Sequence, residues 1–418
     1  MSRKETRLAT KHKRAKQTCK VYELKVDKSK LSEQTIEHLN GLFREAKWLY
    51  NYVLSQSNIR NFNTKIKEVP VKVKDQFEIR EFKFISAQMK QGIRDRIFCN
   101  ILSLSALKKQ GHKIGKLKFK SFVNSIPLKQ HYDTFTLQRE RDSVKLQKVK
   151  QRLPVYGFSQ IPQDADIANS CFVYRNSNYY FYVTTYSTKQ LKSIPNTSIG
   201  IDFGCNTQLT LSNGIKIEYT VPVSSRIKRL DRKIMKHDRK DSKNKRKDQL
   251  LRAKAYEKLT NKKKDIKNKV IHAIVSNYKH VCFQDESIHA WAMNNHGKKI
   301  QNTAIGGIIS ALKNRAHTPM EVDKFYPSTQ LCPKCGNKRK LCLDERVYVC
   351  SCGYKEDRDV KSAVMIEREG LEKFVPVDSR EFKLEDIRTS ATECQNMLSH
   401  IHGIQSKFVW LSQETPLL

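Results

Sequence analysis

Long apolar runs are missing from this 418-residue chain. Nothing in it approaches the roughly 18 consecutive apolar residues that a membrane-spanning helix needs. The basic segment Met1–Lys20 has no apolar stretch behind it, so it does not read as a secretory signal. Acidic residues are scarce beside basic ones: 42 Asp and Glu stand against 80 Lys and Arg, a formal net charge of +38. Like charges in such excess repel one another in a compact state. The excess is spread along the chain rather than gathered in one tail, which favours a polyanionic partner over a lipid surface. Nucleic acid comes first, because Lys and Arg contacts to phosphate release counterions and supply most of the binding. A disulfide framework is lacking as well. The 11 cysteines are an odd number, and five of them fall between Cys332 and Cys352. In a reducing compartment that clustering reads as metal binding. The length suffices for two or three domains with a buried core.

Residues 1–18 are basic and polar and are expected to be disordered on their own. Cys19–Val26 alternates apolar and polar residues and reads as a strand. Ser32 can cap a helix whose apolar face is Leu39, Leu42, Phe43, Ala46, Leu49, Tyr50 and Val53. Two more basic helical segments are expected around 75–95 and 97–110, followed by a basic extended stretch at 111–126. From about 130 to 190 short alternating segments dominate, including Thr134–Leu137 and Val144–Val149. Cys171–Arg175 and Tyr179–Thr185 flank a turn at Asn176–Asn178, a hairpin pattern. This texture suggests a small sheet or barrel, with a helical insertion interrupting it after the first strand. Ser198–Leu211 reads as two buried strands joined by a turn near Gly204. Residues 226–269 hold 20 Lys and Arg against 6 acids and read as two long helices with a break near Ser242–Asn244, the second extending through 270–278. His280–Phe283 is a short apolar strand, and Ile305, Ile308, Ile309 and Leu312 mark an amphipathic helix.

The cysteines carry the most specific local signal. Cys332-x-x-Cys335 and Cys350-x-Cys352 are separated by a 14-residue loop, Gly336 to Val349. Zn²⁺ takes four soft ligands in a tetrahedron, and paired cysteines on tight knuckles present two thiolates each. Gly336 and Gly353 each follow a pair, where the backbone must turn back. Cys342 lies inside the loop and is left as an alternative ligand. A structural zinc would stabilise the fold of so small an insert outright.

Three carboxylates stand at the ends of expected elements. Asp202 ends the apolar strand Ile199-Gly200-Ile201, where a buried charge is costly unless compensated. Glu286 follows Val281-Cys282-Phe283, with Asp285 as its rival. The strand alternation puts Gln284 and Glu286 on one face and Asp285 on the other. Asp357 and Asp359 precede a helical segment from Val360. Carboxylates converging from three elements can hold a pair of Mg²⁺ ions about 4 Å apart, as phosphodiester cleavage needs.

Four motifs in this order, Ile199-Gly200-Ile201-Asp202-Phe203-Gly204, Phe283-Gln284-Asp285-Glu286, Phe325-Tyr326-Pro327-Ser328-Thr329-Gln330 and Cys352-Gly353-Tyr354-Lys355-Glu356-Asp357-Arg358-Asp359, resemble the TnpB proteins of bacterial insertion sequences. These are RNA-guided relatives of type V CRISPR effectors. Trp48-Leu49-Tyr50-Asn51 and Gly115-Lys116-Leu117-Lys118-Phe119 are also similar, and the resemblance spans roughly 19–366. It implies a multidomain α/β and α+β protein. Residues 196–324 and 354–366 would form an RNase H-like (RuvC) nuclease core, split by a zinc ribbon at 325–353. Residues 19–30 and 111–195 would form a barrel-like wedge domain, interrupted by a helical recognition insertion at 31–110. Residues 1–18 would be a basic tail, and 367–418 a tail without an assigned role. By match to the motifs, Asp202, Glu286 and Asp359 are the implied catalytic acids and Mg²⁺ or Mn²⁺ ligands. Cys332, Cys335, Cys350 and Cys352 are the implied zinc ligands.

The chain departs from the family's pattern twice. Lys361-Ser362-Ala363 stands where the family has Asn-Ala-Ala, and Gln-Asp-Glu where many members have Glu-Asp-Leu. The resemblance implies a bacterial, cytoplasmic, nucleoid-associated endonuclease that uses a guide RNA to cut double-stranded DNA, with no membrane partner and no small-molecule substrate. A non-cleaving RNA-guided repressor and a strand-transfer transposase are the alternatives. Arg226, Arg229, Arg232, Lys233, Lys236, Arg239, Lys245 and Arg246 suit a backbone-tracking role, since in RNA-guided recognition protein reads phosphate and shape while base pairing reads sequence.

Overall fold

The computed structural model describes residues 3–73, 76–188, 194–237, 242–342, 344–375, 384–402 and 404–408. The chain divides into two compact units, Met1–Leu191 and Lys192–Leu418.

The first unit begins with α1 (Arg3–Ala15), β1 (Gln17–Val26) and α2 (Glu33–Leu54). The Ser32 hydroxyl caps α2 by accepting from the Thr35 N–H at 3.2 Å, and the apolar face read from the sequence is buried. The strands β2 (Glu68–Val73) and β3 (Gln76–Glu81) and the helix α3 (Ala87–Lys109) follow. Then come β4 (Ser125–Leu128), β5 (Phe135–Gln138), β6 (Ser143–Leu146), β7 (Leu153–Tyr156), β8 (Asp166–Ile167), β9 (Ser170–Arg175) and β10 (Asn178–Thr188). They build an antiparallel sheet in the order β4-β9-β10-β1-β7-β6-β5, with β8 beside β10. The β9–β10 hairpin turns at Asn176 and Ser177, both with positive φ.

Two expectations are corrected here. The segment around 75–95 is not a helix: β2 and β3 pair as a hairpin, and one helix, α3, starts only after the Ser86 cap. Strand-like alternation over 69–73 and a capping serine outweigh the helical spacing read across them. Residues 3–15 form α1 rather than a disordered tail. Lys13 pairs with Asp166 at 2.7 Å, and the Arg14 guanidinium lies 3.7 Å over the Tyr186 ring.

The second unit is built on a mixed sheet. It comprises β11 (Ser198–Phe203), β12 (Leu209–Leu211), β13 (Ile215–Glu218), α4 (Ser225–Met235), α5 (Lys243–Asn277), β14 (His280–Gln284), α6 (Ile288–Trp291), α7 (Gly297–Thr303), α8 (Ile305–Arg315), β15 (Thr318–Val322), β16 (Val347–Val349), β17 (Lys355–Asp357), α9 (Arg358–Phe374), α10 (Leu384–Ser399) and β18 (Gln405–Phe408). The sheet order is β15-β14-β11-β12-β13-β18. β11, β14 and β15 run parallel, and β11, β12, β13 and β18 pair antiparallel. The two inner parallel strands, β11 and β14, are buried almost throughout, as strands covered on both faces must be, whereas β15 at the edge buries only Met320 and Val322. Residues beyond 366 contribute to this unit. α9 runs on to Phe374, while Cys394 and Leu398 of α10 lie in one core cluster with Ile271 and Ile274 of α5. Among the described residues no helix is long and apolar enough to cross a membrane.

Candidate functional site

The four predicted cysteines come together. The sulfurs of Cys332, Cys335, Cys350 and Cys352 lie within 4.8 Å of one another. The Sγ–Sγ distances Cys332–Cys352 and Cys335–Cys350 are 3.6 and 3.5 Å. Ligands at about 2.3 Å from a tetrahedral Zn²⁺ are separated by roughly 3.8 Å, so the geometry fits zinc and is far too open for disulfides. Gly336 and Gly353 take positive φ, and each donates its N–H back to the first cysteine of its pair at 3.0 Å. These are the two knuckles. The backbone N–H of Cys352 leads the effects that pull the Cys350 thiol down to about 6, favouring a thiolate. Cys342 is exposed and outside the cluster, and its N–H is held by Glu345 at 2.8 Å. β16 and β17 pair behind the knuckles, with Tyr348 and Tyr354 buried between them. The cluster could therefore hold zinc.

The carboxylates are positioned by a strand–helix register. Ser198, Gly200 and Asp202 share one face of β11, and α9 lies across that face. Ser198 Oγ bonds to Glu367, and Gly200 abuts Ala363. Two residues of strand advance about 6.6 Å and four of helix about 6.0 Å, so the steps 198/367 and 200/363 continue to 202/359. The electrostatics agree. Burial first, then the charges of Asp359 and Glu286, hold the Asp202 carboxyl well above the usual carboxylate range, against Arg358 and Lys361. Asp202 keeps a window to solvent. Glu286 is half-buried, and burial and then neighbouring Asp285 raise its carboxyl. Among the described residues the three carboxylates do not form a closed ligand cluster as the cysteines do.

The two rivals point elsewhere. Asp285 is exposed, with its carboxylate 3.6 Å from the Lys313 ammonium. Asp357 caps α9, its Oδ1 accepting from the N–H groups of Asp359 and Val360 at 3.0 and 3.2 Å. The expected strand alternation of Gln284 and Glu286 is corrected, because β14 ends at Gln284. The Gln284 amide is buried and donates to the carbonyls of Asp323, Lys324 and Tyr326 at 3.0, 3.2 and 2.9 Å, pinning the turn into the ribbon.

Two lysines escaped the motif reading. Lys216 sits on β13, in line with Thr210 and Asp202 across the sheet. Its ammonium is 2.8 Å from Asp357 and 3.8 Å from Asp359. The alternation of Ile215 and Ile217 was the available signal, since it turns Lys216 to the opposite face. Lys361 is wholly buried, and its Nζ donates to the carbonyls of Ser328 and Leu331 at 2.8 and 3.1 Å. Burial pulls its ammonium down to about 8, against the attraction of Asp202 and Cys332. Its place in the last motif, where the family has Asn, was the available signal, but that departure does not show that the side chain is buried.

Of the basic candidates, Arg226, Arg229, Arg232, Lys233 and Lys236 are exposed on α4, whose buried stripe is Ile227, Leu230 and Ile234. Arg246 is exposed at the start of α5, and Lys245 is turned back to the His237 carbonyl at 3.0 Å. Arg239 lies outside the described residues.

A family described as "Probable transposase" matches residues 181–288, and one described as "Cas12f1-like, TNB domain" matches residues 309–366. The first match contains Asp202 and Glu286, the second the four cysteines and Asp359. These matches, with the relative described next, support a TnpB-like protein. A Streptomyces pristinaespiralis protein described as "Putative RNA-guided DNA endonuclease" is 26% identical over 237 residues, 54% of this chain and 58% of that protein. The chain thus spans little more than half the length of this curated relative. The cryo-EM structure of a Cas12f1–sgRNA–target DNA complex overlaps 84% of this chain and 99% of that chain, with TM-score 0.49 and 13% identity.

Proposed function

We propose that this chain is an RNA-guided DNA endonuclease of an insertion sequence, cutting double-stranded DNA by two-metal phosphodiester hydrolysis at Asp202, Glu286 and Asp359. The observation that carries this reading is the field on Asp202, whose carboxyl is raised by burial first and then by the charges of Asp359 and Glu286. Like charges held together at the end of a buried strand are a cost that divalent cations offset, and carboxylate oxygens are the donors that Mg²⁺ or Mn²⁺ prefer. Bound there, the ions would activate water and stabilise the departing oxygen. Asp202 is fixed by β11, Asp359 by the first turn of α9 under its Asp357 cap, and Glu286 by the turn after β14. The mixed sheet with acids at its strand ends supports an RNase H-like (RuvC) core. The eight-stranded sheet of the first unit supports a barrel-like wedge domain. The net charge of +38 and the exposed basic face of α4 suit guide RNA and target DNA as partners.

The test is to purify the protein with its co-purifying RNA, sequence that RNA, and offer matching duplex DNA with Mg²⁺. The reading expects cleavage, lost by roughly 100-fold or more in Asp202→Ala while RNA binding persists. Cleavage undiminished in Asp202→Ala would refute the site. Binding without cutting in Mg²⁺ or Mn²⁺ would favour a repressor, and strand-transfer products without RNA a transposase.

A further inference from the structure

A primary ammonium with no exposed surface is expensive, because a buried cation costs several kcal/mol unless its neighbours replace water. At Lys361 they do, and both hydrogen-bond acceptors and the ring beneath the ammonium belong to the ribbon. The Ser328 and Leu331 carbonyls accept from Nζ, and the Tyr348 ring centroid lies 4.3 Å from it. Leu331 directly precedes the ligand Cys332, and Tyr348 packs with Cys332 and Cys350 in one apolar cluster. The cation on the nuclease-side helix is therefore turned toward the ribbon, on the carbonyl just before the ligand Cys332. A Zn²⁺ held by four thiolates is net anionic, so a loaded ribbon has negative charge to compensate where this ammonium lies.

We propose that Lys361 is a positioning residue that clamps the zinc ribbon to α9 and supplies the buried counter-charge of the loaded four-thiolate centre. The inference rests on the zinc reading of the cysteines, and only its functional consequence rests on the nuclease reading. The ribbon is an excursion between β15 and α9, and its own apolar cluster is small. A charge-assisted clamp to a core helix fixes its orientation more firmly than that cluster alone could. Asp359 lies two residues earlier on the same helix, so the clamp also holds the helix turn that carries it.

The experiment uses the full chain with Co²⁺ in the cysteine site as an optical reporter, comparing wild type with Lys361→Gln and Lys361→Met. Gln keeps a donor but loses the charge; Met keeps the bulk and loses both. A nearby cation stabilises the thiolate electrons, so its removal moves the thiolate-to-cobalt charge-transfer band to longer wavelength. A variant that merely loosened packing would not shift that band. We expect the shift in both variants. Zn²⁺ release to a chelator should quicken by roughly 10- to 100-fold in Lys361→Met, the usual scale for outer partners of a metal site, and by less in Lys361→Gln. An unshifted band together with wild-type release in Lys361→Gln would overturn the proposal, and that variant decides if Lys361→Met does not fold. Neither readout involves DNA, so a chain that never cleaves would undo the nuclease reading and leave this one standing.

Discussion

Gly200 and Ala363 meet so closely that a Cβ on Gly200 would stand 2.0 Å from the Ala363 carbonyl oxygen. Backbone-on-backbone contact of that kind has no slack, and the same hypothetical Cβ would lie 2.8 Å from Cβ of Glu367. The contact sets the height of α9 above β11 and thereby the gap between Asp202 and Asp359. In Gly200→Ala the helix must lift. We expect a loss of about 1–3 kcal/mol in chemical denaturation. Cleavage should fall by up to roughly 100-fold, because catalytic groups displaced by about 1 Å lose that much.

The choice between Glu286 and Asp285 is open to a direct comparison. Asp285 is exposed and faces Lys313, whereas Glu286 is half-buried and contributes to the field on Asp202. Glu286→Gln should reduce cleavage by roughly 100-fold or more at fixed Mg²⁺, and Asp285→Asn by only a few-fold. The reverse ranking in a matched pair of cleavage assays would move the middle ligand to Asp285.

His280 should make the second unit sensitive to mild acid. Burial, then Lys279 and His317, depress its imidazole from 6.5 to about 4. The unfolded chain therefore takes up a proton between those values while the folded chain does not. Stability is fully present above about pH 6.5, falls as pH drops toward 4, and levels below that. The shift corresponds to at most about 3 kcal/mol. Denaturation midpoints measured from pH 7 to 4.5 should fall in wild type and fall less steeply in His280→Asn.

The exposed face of α4 should be read through salt. Replacing Arg226, Arg229, Arg232 and Lys233 by Gln should weaken nucleic-acid binding about equally for all sequences. Each phosphate left without its cation should lower the slope of log K against log salt by about one. Unchanged slopes in binding titrations at roughly 50–200 mM salt would remove α4 from the interface.

Much of this protein was legible in one dimension because the signals are local. Cysteine spacing fixes a pair of knuckles, since each pair and its glycine act within a single turn. Apolar stretches ending in Asp202 and before Glu286 mark buried strands, and Ser32 marks a helix start through a bond made three residues away, whereas the start at Ser86 was missed. The net charge announces a polyanion before any fold is known. What the sequence could not decide depends on contacts made at long range. Asp357 and Asp359 differ by two residues and both lie near Lys216, and only the capping bonds of α9, which Asp357 accepts, tell the two apart. Gln284 resembles a site residue until its amide is seen holding three carbonyls some 40 residues on. Lys361 shows in the sequence only as a departure from the family's Asn, and its burial against the ribbon exists only because two distant segments close over it. Burial and electrostatic coupling are properties of neighbours in space, and periodicity and spacing carry no record of them.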